Sequence, residues 1–234
     1  MLEAVQGKSR RIEKTEKEKN CLFLIQESGI IRIWPQTASV IRISYTESGC
    51  FTKAQGAEYA DISDDCLWDY QETQEEIQVD TEALTIYICK ETGSILYKDK
   101  SGKLLFTEAK ENSKTVEKFD SYHIADGQHV KTQDIQTPDG IKKKILAADK
   151  IYDKTLYHTR LSIRFQDKER LFGLGQAPEG TWNLRHTTQY LHQANRKIAI
   201  PLLLSTAGYG ILLSTQSTAI FNDTQYGSYL YTEA

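Results

Sequence analysis

A chain of 234 residues with 39% hydrophobic and 26% charged side chains can bury a sizeable core, which excludes wholesale disorder. Its 29 Lys and Arg against 32 Asp and Glu leave a formal charge of −3, so no broad basic field is offered to nucleic acid or to an anionic membrane. Thirteen Tyr, seven Phe and three Trp beside a single Met favour pleated sheet over a helix bundle.

Residues 1–19 read as a charged, solvated and possibly frayed lead-in, because Lys8 to Lys19 is dense in charge and almost free of apolar side chains. The start has no apolar run after its charges, so no secretory signal is expected. No window approaches the roughly 20 apolar residues of a membrane span. Cysteines 21, 50, 66 and 89 form no C-x-x-C pair, and buried thiols in a reducing cytosol are the expectation. The expected location is cytoplasmic.

From Cys21 the pattern changes to short apolar alternations. CLFLI, GIIRIW and SVIRISY predict three successive strands, broken at Glu27-Ser28-Gly29 and at Pro35-Gln36-Thr37. Arg32 and Arg42 sit between apolar neighbours, the period-2 sign of a sheet with one wet face. Residues 46–74 read as a long acidic loop with a short strand or two, and Asp61, Asp64 and Asp65 as its solvated cluster. EEIQVDT and ALTIYICK predict one tight hairpin, SILYKD and KLLFTE a second. Residues 108–141 are polar, with turn signals at Asp126-Gly127 and Pro138-Asp139-Gly140. Beyond them KKILAAD precedes TLYHTRLSIRF, in which Tyr157, Thr159, Leu161, Ile163 and Phe165 make the better core face. The last third offers RLFGLG, TTQYLHQ, IAIPLLLS, YGILLST, TAIFND and GSYLYTE, six further strands. More than a dozen short strands with no sustained helical stripe predict an all-β, antiparallel β-sandwich. No fixed repeat is visible.

Chemical motifs are mostly excluded. Gly173, Gly175 and Gly180 miss the dinucleotide pattern, which needs Gly where Pro178 stands and a following helix. P-loop and nucleophile-elbow motifs are missing too. His123, His129, His158, His186 and His192 form no pair at metal-ligand spacing, so neither a metal nor a cofactor is assigned. The richest segment is 169–222. After Gly175 it carries a polar loop with Trp182, Asn183, Arg185, Tyr190, Gln193 and Asn195. An exposed Trp among amides and a guanidinium suits a sugar-binding rim, where the ring stacks on a pyranose and amides pair with hydroxyls. A structural Trp in a hydrogen-bonded loop is the alternative on composition.

This segment resembles the N-terminal domain of glycoside hydrolase family 31, the α-glucosidases and α-xylosidases. The resemblance rests on Arg170-Leu171-Phe172-Gly173-Leu174-Gly175-Gln176, Asn183-Leu184-Arg185, the run from Gln193 through Ile200-Pro201, and Ser205-x-x-Gly208-Tyr209-Gly210. It covers about the last 65 residues well; upstream only the strand rhythm agrees. The sequence departs from the family where Gly usually follows Asn-x-Arg/Lys, since His186 stands there.

The resemblance implies a galactose-mutarotase-like supersandwich over 20–234, set before a (β/α)8 barrel that holds an aspartate nucleophile and an aspartic acid/base. It implies that the sandwich is cut before its last strands, that this chain has no catalytic residue of its own, and that a loop at roughly 181–198 helps shape the sugar pocket. Substrate-binding residues are then expected at Asn195, Gln193, Trp182 and Arg185, substantially exposed or mobile, with an α-glucoside or α-xyloside as the partner and no nucleic acid or membrane. A homodimer is expected through an unpaired edge, with Gly227 to Thr232 as strand donor, or through the barrel-facing surface. A stand-alone carbohydrate-binding module built on Trp182 and, behind it, a mutarotase-like enzyme using a His and a Glu in a cleft are the alternatives.

Overall fold

The computed structural model describes residues 9–51, 66–124, 130–147, 149–178 and 180–233. Asp61, Asp64, Asp65, the Asp126-Gly127 turn and His129 lie outside them. The described residues form nineteen strands and no α-helix, all paired antiparallel.

The first sheet joins β1 (Ile12–Glu18), β2 (Cys21–Gln26), β3 (Gly29–Thr37) and β4 (Val40–Thr46) in chain order. The second joins β5 (Trp68–Glu72), β6 (Glu76–Thr81), β7 (Leu84–Cys89), β8 (Ile95–Asp99) and β9 (Leu104–Thr107), again in chain order. Alternation explains how they meet. Leu22, Leu24, Ile31 and Ile33 point inward from the first sheet, and Ile77, Val79, Ile86, Ile88 and Ile95 from the second, forming one buried cluster. Both predicted hairpins are present, β6 with β7 and β8 with β9.

Two expectations are corrected here. Residues 12–18 are not a frayed terminus but strand β1, whose Ile12 is buried and whose Lys17 lies 4.2 Å from the Trp68 ring. A sheet edge tolerates charge on its wet face, so charge density alone did not reveal the strand. Nor does Pro35 end β3. The strand runs on to Thr37, with a register shift between Pro35 and Thr37 and its turn at Ala38-Ser39.

The second half builds its own core. Strands β10 (Lys114–Ile124), β13 (Lys150–Ile163), β19 (Gly227–Glu233), β18 (Ala219–Thr224) and β15 (Thr188–Leu191) lie in that order in one sheet. A smaller sheet holds β14 (Leu171–Gln176), β16 (Ile198–Ser205) and β17 (Tyr209–Leu212). Ile163, Leu171, Leu184, Leu203, Phe221 and Leu230 pack between them, together with Leu105 and Phe106 of β9. Leu161 and Phe165 join this core as expected, whereas Tyr157 and Thr159 are only half-buried. A separate hairpin, β11 (Lys131–Thr137) with β12 (Gly140–Ala147), turns at Pro138-Asp139. Strands β10 and β11 occupy a stretch whose polarity hid them, because both their faces are largely wet.

The terminal run is not an edge. β19 pairs with β13 on one side and β18 on the other, so Gly227 to Thr232 has no unpaired rim to donate. That part of the dimer expectation is withdrawn.

Tyr97 packs against both cores, and the seam beside it carries a buried ion pair. Lys114 donates to Glu108 and to the Gly93 carbonyl (3.2 Å), while the Ile95 N–H donates to Glu108 (3.1 Å). Burial pushes the Lys114 ammonium below its ordinary pKa, and the Glu108 carboxylate opposes that shift. Removing one partner strands the other charge. Lys114→Ala should therefore cost about 3–5 kcal/mol of unfolding free energy. Replacing both residues by Leu should recover much of that loss, as read by denaturant titration.

Candidate functional site

The loop of interest begins where β14 ends. In the Gly173-Leu174-Gly175 run the glycines hold φ of +96° and +91°, and Leu174, itself at +60°, is buried in the core. A Cβ on Gly173 would sit 2.3 Å from the Leu202 carbonyl oxygen, and one on Gly175 2.0 Å from that of Ile198. The glycines serve a close approach of β14 to β16, with a register shift between them, not a phosphate.

Beyond β14 the chain is fastened from below. Asn183 accepts the N–H groups of Leu171 (3.1 Å) and Arg185 (3.3 Å), and the Leu184 N–H donates to the Leu171 carbonyl (2.8 Å). Leu184 then enters the core. The Arg185 side chain turns inward, donating through Nε to Asp223 of β18 (2.7 Å) and through Nη1 to the carbonyls of Gln166 (2.8 Å) and Glu169 (3.1 Å). Asp223 also accepts the His186 N–H (2.7 Å) and Ser228 Oγ (2.6 Å). Desolvation pushes the Asp223 carboxyl upward, but those hydrogen bonds and the guanidinium outweigh it and hold its pKa below the ordinary carboxylate value.

Glu169 completes the foundation. It is buried and accepts from Ser205 Oγ, the Tyr209 hydroxyl and the Gln166 N–H. Burial, followed by that carboxylate, raises the Tyr209 phenol well above its ordinary range, so it stays a donor. His186 has φ +63°, the left-handed region that Gly enters freely. The backbone geometry expected of glycine is thus kept with a side chain in place, at a cost of about 1–2 kcal/mol.

The expected contact residues separate into two groups. Trp182 is 86% exposed on the connection before β15, and Asn195 is exposed at the tip of the connection after it. There Ala194 and Lys197 bridge and Arg196 takes φ +63°. Gln193 is exposed too, yet its amide is occupied: Nε2 donates to the Ala199 carbonyl (3.1 Å) and Oε1 accepts the Ala199 N–H (3.2 Å). Arg185 contradicts the expectation of an exposed rim residue. Its side chain is only 12% accessible because a guanidinium that forks across three acceptors is worth more there than at the surface. Asp223 and Glu169 were not singled out from sequence: Asp223 closes the run AIFND, and Glu169 stands in the charged stretch Asp167 to Arg170, where nothing distinguishes it from a solvated turn residue.

These features define a mutarotase-type antiparallel β-sandwich that carries a stiffly founded loop between β14 and β16. The profile of the glycosyl hydrolase 31 N-terminal galactose mutarotase-like domain matches residues 30–222, and the chain belongs to that family. Its fold is similar to that of the family 31 α-xylosidase from Xanthomonas citri, with TM-score 0.68 and 19% identity, covering 90% of this chain and 20% of that one. It is also similar to a family 31 dextranase from Flavobacterium johnsoniae, with TM-score 0.67 and 18% identity, covering 97% of this chain and 25% of that one. A cycloalternan-forming enzyme from Listeria monocytogenes matches with TM-score 0.66 and 16% identity, over 97% of this chain and 20% of its own. The chain thus spans a fifth to a quarter of the length of these enzymes.

The Arg185–Asp223 pair yields a prediction with a sign. Asp223 has a folded-state pKa below the unfolded value of 3.8, so its stabilisation is complete above that pH and is lost as pH falls through the folded value. Arg185→Ala should cost about 3–5 kcal/mol near neutrality. Asp223→Asn should flatten the acid limb of the stability curve measured by chemical unfolding.

Proposed function

We propose that this chain serves as the N-terminal, non-catalytic domain of a retaining α-glycosidase of the α-glucosidase or α-xylosidase type. In this reading it supports the catalytic barrel and lends the β14–β16 loop to the sugar pocket. The observation that carries it is the contrast within that loop. Arg185, Asn183 and Gln193 are consumed in fastening it, while Trp182 and Asn195 are held outward without serving the fold. Such a foundation places a ring and an amide at a fixed spot, as substrate positioning requires. The two carboxylates of retaining hydrolysis, about 5–5.5 Å apart, belong in this reading to the barrel. A cytoplasmic location is part of the proposal.

Asn195→Ala in the enzyme that carries this domain should lower kcat/KM about tenfold, the worth of one hydrogen bond to a hydroxyl, and leave the thermal midpoint unchanged. An unaltered kcat/KM would end the assignment of Asn195 to the pocket.

The proposal also has a partner surface. Outward on the small sheet, Ile198 (55%), Ile200 (50%), Leu204 (46%) and Leu212 (53%) are exposed close together, since Leu212 stands opposite Leu202 in the pairing of β16 with β17. Contiguous apolar patches are uncommon on stable monomers. We assign this face to the barrel and, where it is uncovered, to a second copy of the chain. Light scattering should find the isolated chain self-associated, and Ile200→Lys with Leu204→Lys should return it to monomer. A strict monomer at tens of micromolar would refute the dimer.

A further inference from the structure

The sheet of β10, β13, β19, β18 and β15 has a second face, turned away from the core. Ile163, Leu230, Phe221 and Leu191 point into the core, so their strand neighbours point out. Register places the outward residues in rows. Glu117, His158 and Glu233 lie side by side on β10, β13 and β19; Thr115, Arg160, Tyr231, Ile220 and Tyr190 form the next row across the whole sheet.

These rows surround a hollow of about 440 Å³ whose walls include Glu117, His158, Arg160, Tyr229, Tyr231 and Glu233. A second hollow of about 380 Å³ adjoins it, bounded by Asn112, Ser162 and Ser228, and the two share Thr115 and Arg160. Together they make an open groove with Arg160 at its middle. The Arg160 guanidinium lies 4.0 Å from the Tyr229 ring centroid, and the His158 ring 5.5 Å from that of Tyr231. The cation–π contact keeps the Arg160 head against the Tyr229 face, and the His158 ring is tilted by 55° to that of Tyr231.

The chemistry selects among ligands. Two carboxylates stand against one guanidinium in the larger hollow, so a phosphate-bearing chain is repelled. An extended peptide gains most by adding to a sheet edge, and β13, β19 and β18 are each paired on both sides. A lipid tail finds too many polar groups. A neutral sugar finds what it needs: apolar surface from the Tyr231 ring and the Ile220 side chain, and planar acceptors and donors for hydroxyls in Glu117, Glu233 and Arg160. Burial, then the charge of Glu233 and its hydrogen bond to the phenol, then Glu117, raises the Tyr231 phenol above its ordinary pKa.

We propose that this groove binds a neutral linear oligosaccharide, one ring in each hollow with Arg160 bridging the linkage. The site is separate from the β14–β16 loop and does not depend on the role proposed for that loop. Its test is calorimetric titration of the 234-residue chain with maltotriose, isomaltotriose and xylotriose, beside glucose. The expected result is saturable binding of at least one trisaccharide, tighter than that of glucose. Arg160→Ala should weaken it about tenfold or more, the loss expected for a charged hydrogen-bond donor. Trp182→Ala should leave it unchanged. Arg160 and Glu117 are both exposed, and thermal melts of Arg160→Ala and Glu117→Gln would verify that the fold is intact. No saturation with any trisaccharide overturns the proposal. So does binding that survives both groove substitutions, or binding that Trp182→Ala abolishes. The Asn195→Ala assay reads the loop and this titration reads the sheet, so either can fail alone.

Discussion

The Arg185–Asp223 pair is the interaction on which the second half of the molecule turns. It links the foot of an irregular loop to β18, a strand with neighbours on both sides. Without it, the connection from Gln176 to Ile198 would keep Asn183, Leu184, β15 and the Gln193–Ala199 contacts, but its foot would lose the inward anchor to β18. A buried guanidinium is costly to desolvate, and this one is offset by three acceptors arranged to suit its fork. The arrangement is specific in a way that apolar packing is not. A Leu at 185 could fill the same space, but it could not set the loop's direction through the Gln166 and Glu169 carbonyls at the same time.

The same logic recurs at the seam between the two cores. Each core is an ordinary aliphatic cluster, and apolar surfaces alone would let one half slide against the other. Tyr97 touches both, and the Glu108–Lys114 pair joins β10 to the turn before β8 through the Gly93 carbonyl and the Ile95 N–H. Polar contacts that are individually modest in net energy thus fix the relative placement of surfaces that hydrophobic burial brings together.

How far the sequence foretold this differs by element. Strands with one dry face were legible: β2, β3, β6 and β7 alternate, and both hairpins stood where their turns placed them. Strands wet on both faces were not, as β1, β10 and β11 show, because period-2 patterning records burial and not hydrogen bonding. The terminal strand was recognised but misplaced. Its aromatic, uncharged composition suits a buried position in a sheet as well as an exposed edge, and only the pairing of β19 with β13 and β18 separates the two. For the loop, the exposure of Trp182 and Asn195 was legible in its polar composition, and Arg185 was misjudged, since its acceptors come from Gln166, Glu169 and Asp223. Glu117, His158 and Glu233 were beyond reach for the same reason. They share a row only because β10, β13 and β19 are neighbours in space.

That last case shows what a sandwich offers beyond support. One face of a strand commits its residues to the core, and the alternate residues are then displayed at fixed spacing whether or not anything uses them. In β19 the commitment is Leu230, and the display is Tyr229, Tyr231 and Glu233. Were that face only a solvated surface, one short polar side chain after another would serve it. Two half-buried tyrosines, with a guanidinium against one of them, instead share that face with Glu117 and Glu233, and Arg160 lines both hollows. The loop and the groove therefore arise from one construction. β18 holds Asp223 for the loop at its end and Ile220 for the groove nearer its start, so the rigidity that founds one also levels the floor of the other.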